Sequence, residues 1–414
     1  MQESMTELQR VKSAEEILQS LSIRLASHSN PTAETASYYG FNHIETPSFS
    51  REDRALAKVL LTAITTHNKE NKGFVAAPEE RITLLRKYNE KRDENTDPLL
   101  ISYQSGGKSR KGTSKHGHIN LDILGSDRSI SEALVIAAAA TILRDDGFTK
   151  IFIDINNIGD RETNNRFEHE LISYYRKYLS DLPATCRQSF KENCRAPFCC
   201  QTHDKCQALH EEAPKAINFL SDYGRHHLKE VLEYLEHFEI PYRINHTLMG
   251  PSEYSSHTIF EIRGGNPENE SAEILASGGR FHSLSRALGF RKDLPIVGIS
   301  LLYNRSAAAR RRRRKKIFAP LLYVIHIGFE AKLQSFNIIE SLHQAGIPLY
   351  HSLTRDKLIG QMAVAEQLHL PYVLIVGQKE ALEGTVMVRD MSTRSQDTVS
   401  IPHLVSYLKK VLPK

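Results

Sequence analysis

The chain has 414 residues, 40% hydrophobic and 25% charged, with a formal net charge of +5. That length predicts two or three domains and ample core, and the composition is ordinary for a soluble globular protein, which sets aside disordered and fibrous classes. No apolar run approaches the roughly 20 residues that span a bilayer, and the polar N-terminal stretch predicts no secretory signal; a cytoplasmic protein with no membrane partner is expected.

Residues 14–36 read as one helix, with apolar positions at helical spacing. YYGFNHIETPSF (Tyr38–Phe49) reads as a short strand entering a proline, Pro47. Helices are predicted at 51–68 and 79–93, then a strand at 99–103, a glycine–lysine–serine loop (Ser105–Gly117) and a strand at 118–124. An alanine-rich helix at 129–146 leads into a strand at 150–155, and residues 160–240 are predicted mostly helical. RHHLKEVLEYLEHF (Arg225–Phe238) places apolar residues at i, i+3, i+4 and i+7. Strands return at 241–247, 256–263 and 272–277, and again at 295–302 after a short helix. From 321 onward strands and helices alternate, which predicts an α/β layer with a mostly parallel sheet.

Arg310, Arg311, Arg312, Arg313, Arg314, Lys315 and Lys316 form one cationic run, and without these seven charges the net +5 becomes −2. The globular parts therefore have no basic excess of their own. Such a block is foremost a solvated, self-repelling linker, and it also has the chemistry to neutralise RNA phosphates. Five cysteines, Cys186, Cys194, Cys199, Cys200 and Cys206, fall within 21 positions. Cys199, Cys200, His203 and Cys206 offer zinc-compatible ligand types. Their spacing fits no paired CxxC pattern, so reduced, partly buried thiols are the first reading and zinc the alternative.

Two segments carry the functional signal. SGGRFHSLSRALGF (Ser277–Phe290) runs a double glycine into an arginine, which predicts close ligand approach to the backbone and an exposed guanidinium. VGISLLYNR (Val297–Arg305) is a glycine-started apolar strand leading to a second arginine. In order and spacing the pair resembles two signatures of histidyl-tRNA synthetases, the GGRYDGL stretch of the amino-acid site and the strand–helix element ending in an ATP-binding arginine. The tail segment VLIVGQKEALEGTVMVRDMSTRSQ (Val373–Gln396) resembles the anticodon-binding domain of the histidyl, glycyl, threonyl and prolyl enzymes. Tyr38–Phe49 is similar to the dimer-forming first motif of class II synthetases. The resemblance extends along nearly the whole chain. It implies an α+β class II catalytic core at 1–309, built on an antiparallel sheet of six or seven strands with a helical insertion at about 160–240. A basic linker at 310–316 and an α/β anticodon-binding-type domain at 317–414 follow. A homodimer that binds tRNA or another RNA is the assembly it implies.

The residues that would do the family's chemistry are largely replaced. Aminoacylation is mainly positioning and charge stabilisation, with arginine forks on the phosphates. The segment of type LVRGLDYYTxTVFE reads LMGPSEYSSHTIFE (Leu248–Glu261), so Gly250 stands where the family has its catalytic arginine; Arg243 and Arg263 are the neighbouring candidates to replace it. Tyr254 keeps one of two pocket tyrosines. The LRPEGT segment reads VAAPEERI (Val75–Ile82): Glu79 persists, Ala77 replaces the arginine, and Arg81 replaces the threonine, where a guanidinium would take the space of a bound histidine. Asp122 stands in place of the substrate-binding glutamate of motif 2, whose loop is short and whose ATP arginine would be Arg110. Gly278, Gly279, Arg280 and Arg305 persist. These replacements imply a catalytically degenerate paralogue, a tRNA-binding or regulatory module with no cofactor. The alternatives are a divergent but active histidine–tRNA ligase, using ATP and Mg²⁺, and a dimeric scaffold without ligand.

Overall fold

The computed structural model describes residues 14–26, 31–67, 78–92, 98–104, 116–195, 197–198, 200, 203–250, 255–268, 272–304 and 320–412. Where one N-terminal helix is predicted there are two, α1 (Ala14–Ser20) and α2 (Pro31–Tyr38). The segment after α1 leaves helical geometry at Ser22, which has a positive φ of 53°. β1 (Asn42–His43), α3 (Arg51–His67), α4 (Pro78–Lys91), β2 (Leu99–Gln104), β3 (His116–Leu124), α5 (Ile130–Asp145) and β4 (Ile151–Asn157) follow. Helices α6 (Arg161–Lys177), α7 (Ala184–Glu192), α8 (Asp204–His210) and α9 (Asp222–His237) separate β4 from β5 (Tyr242–Ile244). The first unit closes with β6 (Ser256–Gly264), β7 (Ile274–Arg280), α10 (Ser283–Ala287) and β8 (Ile296–Asn304).

These strands form one sheet in the order β1-β2-β3-β8-β7-β6-β4-β5. It has eight described strands where six or seven are expected. Its centre is antiparallel, but the edge pairs β1–β2 and β4–β5 run parallel. Side chains alternate across a strand, and that parity sorts the sheet into two chemically different faces. Ile119, Leu121 and Ile123 of β3, Val297, Ile299 and Leu301 of β8, and Phe260 and Ile262 of β6 join one apolar cluster with α5. The run Ala137–Ala140 of α5 is buried; its short side chains let the helix lie close on the sheet. Asn120 and Asp122 of β3, Gly298 and Ser300 of β8, Glu261 and Arg263 of β6, and Asp154 of β4 have the opposite parity. The second face is therefore a polar floor.

The C-terminal unit comprises β9 (Leu322–His326), α11 (Phe329–Ala345), β10 (Tyr350–His351), α12 (Leu358–Gln367), β11 (Tyr372–Val376), α13 (Gln378–Glu383), β12 (Thr385–Asp390), β13 (Gln396–Ser400) and α14 (Ile401–Val411). Its sheet, β10-β9-β11-β12-β13, is mixed where a mostly parallel one is predicted. The first two pairings are parallel, whereas β11–β12 and β12–β13 are antiparallel. The short connection through α13 ends at Gly384, whose φ of 63° suits a residue without Cβ. This unit rests on the helical side of the first. Phe336 packs against Phe238 with ring centroids 4.6 Å apart, and Tyr39 donates to Glu340 Oε2 at 3.0 Å. No described helix is long and apolar enough to cross a membrane.

Candidate functional site

The polar floor is covered by the first turns of α4, which bring Arg81 over β3. Arg81 Nε donates to Asp122 Oδ1 at 2.9 Å, and Tyr103 donates its hydroxyl to Asp122 Oδ2 at 2.6 Å. Both ends of the ion pair are sealed, with Arg81 at 5% and Asp122 at 0% side-chain exposure. The guanidinium also lies over the Phe281 ring, 4.5 Å from its centroid, and reaches toward Ser300 Oγ at 3.5 Å. Ser300 in turn donates to Asn120 Oδ1 at 2.7 Å. Burial, and next the charge of Asp122, push the Tyr103 phenol well above its ordinary range, so it stays a donor. Gly298 makes this packing feasible, since a Cβ there would lie 1.7 Å from Asp122 Oδ1.

Further along the floor, Asp154 of β4 binds two arginines. Arg243 meets it bidentately at 2.8 and 2.9 Å, and Arg263 Nε lies at ion-pair distance, 2.9 Å. Arg263 also donates to Glu261 Oε2 at 2.6 Å. Arg243 and Arg263, the two candidates to replace the missing arginine, are thus held by Asp154. Gly250 lies at the edge of this region, and a Cβ built on it would meet Ser255 Oγ at 2.3 Å and Ile259 Cδ1 at 2.9 Å.

Arg280 corrects an expectation. Its guanidinium is not exposed beside the cleft but 1% exposed on the opposite, α5 face. On β7 it shares the parity of Gly278 and Ala276, which pair with Ile299 and Leu301 of the apolar side. There Nε and Nη2 each donate to the Glu132 carboxylate at 2.5 Å, and the carbonyls of Ser126 and Arg128 accept at 2.9 and 2.7 Å. Glu132 also meets His227 Nε2 at 2.7 Å. Burial raises the Glu132 pKa, but Arg280 and then His227 outweigh it and hold the carboxyl well below the usual range. His282 Nε2 accepts from Arg280 at 3.2 Å; burial, then Arg280, keep this ring neutral.

Among the residues expected in the pocket, the structure brings Asp122 to the centre and Glu79 to the turn of α4 that carries Arg81. Glu79 Oε2 is buried without a hydrogen-bond partner among the described residues. Gly279 pairs with Gly298, next to Asp122, and Gly278 faces α5 close under β8, where a Cβ would meet the Gly298 carbonyl at 2.4 Å. Arg110, Tyr254, Arg305 and the block Arg310–Lys316 lie outside the described residues, as does Cys199. Tyr103, Ser300, Glu132 and Asp154 are partners that sequence reasoning missed; strand parity is the signal that could have put Tyr103 and Ser300 beside Asp122. A separate concavity of about 320 Å³ lies at the seam between the two units, lined by Arg128, Tyr223, His226, Glu230, Lys332 and Asp356, away from the polar floor.

A mixed sheet with an antiparallel centre and a polar floor is thus followed by a small α/β unit. Residues 322–411 match the HGTP family of anticodon binding domains. The histidine–tRNA ligase of Listeria monocytogenes strain F2365 is 27% identical over 384 residues, spanning 87% of this chain and 89% of that protein. The histidine–tRNA ligase of Geobacillus sp. strain WCH70 is 26% identical over 393 residues, 90% of this chain and 92% of that one. The crystal structure of apo S. aureus histidyl-tRNA synthetase overlays at 19% identity with a TM-score of 0.48, covering 91% of this chain and 93% of that one. Over most of its length the chain is similar to histidine–tRNA ligases, and its C-terminal unit matches an anticodon binding domain.

Proposed function

We propose that this protein is a catalytically degenerate histidyl-tRNA synthetase paralogue that acts as a tRNA-binding or regulatory module. One observation carries the reading: the described arginines of the polar floor are already neutralised. Arg81 is paired with Asp122, and Arg243 and Arg263 with Asp154. An adenylate-forming site needs guanidinium groups available where phosphate charge develops, because preorganised cations supply most of the stabilisation. Here Gly250 brings no side chain, and Arg81 fills the space above Asp122 where an amino acid would sit. The reading requires neither ATP nor Mg²⁺.

The anticodon-binding domain supports RNA as the partner, with tRNA the natural candidate given the relatives it matches. The short strand β1 at the sheet edge supports a two-fold dimer through the Tyr38–Phe49 segment. Light scattering is expected to return twice the 46.9 kDa chain mass; a monomer mass at micromolar concentration would remove the dimer from the reading. The decisive assay is ATP–pyrophosphate exchange with histidine and Mg²⁺ on the purified full chain. Exchange at background is expected, together with tRNA binding at low salt. Exchange at the rate of an ordinary synthetase would replace this reading with an active, divergent ligase. Absence of both activities would leave the scaffold.

A further inference from the structure

We propose that Cys186, Cys200, His203 and Cys206 form a tetrahedral zinc site that fastens the helical insertion. The ligand set differs from the one the sequence suggests, because Cys186 on α7 supplies the position that adjacent Cys199 and Cys200 cannot both fill. One donor atom from each of the four residues lies within 4.8 Å of every other. Cys186 Sγ is 3.7 Å from Cys200 Sγ and 3.5 Å from His203 Nδ1, and Cys200 Sγ is 3.2 Å from the same nitrogen.

The first two separations match the edges of a zinc tetrahedron, and the third is shorter by about 0.4 Å. Zn–S bonds of about 2.3 Å and Zn–N bonds of about 2.0–2.1 Å imply S···S edges of roughly 3.8 Å and S···N edges of roughly 3.6 Å. A disulfide is a poor account of the same geometry, since it would need the two sulfurs at about 2.05 Å and would leave the third thiol and the imidazole unused. No disulfide joins the four described cysteines. Three thiolates and one imidazole in a tetrahedral array select zinc among the common divalent ions, because oxygen-preferring magnesium and calcium have no ligand here.

The local architecture gives such a site a structural purpose. His203 occupies the N-cap position of α8 and Cys206 lies in its first turn, so the two stand at i, i+3. Cys200 precedes His203 by the same interval, and Cys186 reaches across from α7. Cys186 and Cys206 are buried while Cys200 and His203 are half-buried, so the cluster is closed on its protein side and reachable from the other. The insertion packs on a small core of its own, including Phe167, Leu171, Tyr175 and Phe198. Small cores are the setting in which a structural metal supplies folding stability.

The test uses the purified full chain. Elemental analysis is expected to find about one zinc per chain, as a closed structural site binds one ion. Cys200→Ala and Cys206→Ala should each lower that ratio severalfold, whereas Cys194→Ala should leave it unchanged. Should an alanine variant fail to fold, replacement of the metal in the unmodified chain by Co²⁺ provides the second measurement. Intense visible bands of tetrahedral, thiolate-bound Co²⁺ are expected, abolished by competing Zn²⁺. Zinc below roughly 0.2 per chain after incubation with the ion overturns the proposal. So does a weak octahedral cobalt spectrum, or a Cys194→Ala variant that loses as much metal as Cys200→Ala.

Discussion

Arg81 and Asp122, 41 positions apart in sequence, meet at 2.9 Å with almost no solvent access to either. Removing one member of a buried pair leaves the other charge uncompensated, which costs about 3–5 kcal/mol, whereas a well-packed apolar pair is often neutral. Arg81→Met should therefore lower the urea midpoint strongly, and adding Asp122→Leu should restore much of the loss. A single-variant cost near that of an exposed pair, about 0–1 kcal/mol, would mean that water screens this site.

Returning the family arginine is expected to fail for a steric reason. Any Cβ at Gly250 would fall 2.3 Å from Ser255 Oγ, and overpacking of this kind costs about 1–3 kcal/mol. Gly250→Arg should lower the melting temperature and leave pyrophosphate exchange at background. Robust exchange in that variant would show that the missing guanidinium alone silences the chain.

Acid should loosen the fold before its carboxylates titrate. Burial pulls the His351 ring down to about 4, although its Nε2 contact with the Tyr38 carbonyl at 3.1 Å works in the other direction. His257 is also held at about 4, by burial and then by Arg280, and burial takes His326 to about 3. An unfolded histidine titrates near 6.5, so the unfolded chain binds more protons as pH falls below about 6.5. These rings therefore contribute fully above that value, and their contribution declines as pH drops toward 4. Urea midpoints across the window should fall steadily, and His351→Gln should flatten part of the slope. Constant midpoints would contradict the buried, neutral state of these rings.

The arginine block is expected to act on RNA binding rather than on stability. Counterion release predicts a slope of log K against log salt close to −0.9 per phosphate contacted on a duplex. Changing Arg310–Arg314 to alanine should flatten the slope for tRNA by several units in a filter-binding titration and leave the melting temperature unaltered. Identical slopes for the two proteins would reduce the block to a spacer.

Much of this architecture was legible from residue order alone. The 3.6-residue periodicity of Arg225–Phe238 became α9, and the alternating tail became the C-terminal unit matched by the anticodon-binding family. Such features depend on neighbours a few residues apart, so they survive without knowledge of the fold. Gly250 and Arg81, at positions where the resemblance implies an arginine and a threonine, were equally visible. The helix break at Ser22 was not, because residues 14–36 keep helical spacing through it.

Which charges meet was decided only in three dimensions. Sequence put the Arg280 guanidinium beside a ligand; strand pairing with β8 turned it to α5, where Glu132, 148 positions earlier, binds it. Asp154 joins arginines 89 and 109 positions later, and Cys186 of α7 lies beside Cys200, His203 and Cys206. A one-residue change in strand pairing would flip Arg280, Asp154, Arg243 or Arg263 to the other face. Local propensity determines where strands form, but the register between distant strands and helices determines the partners of their buried charges.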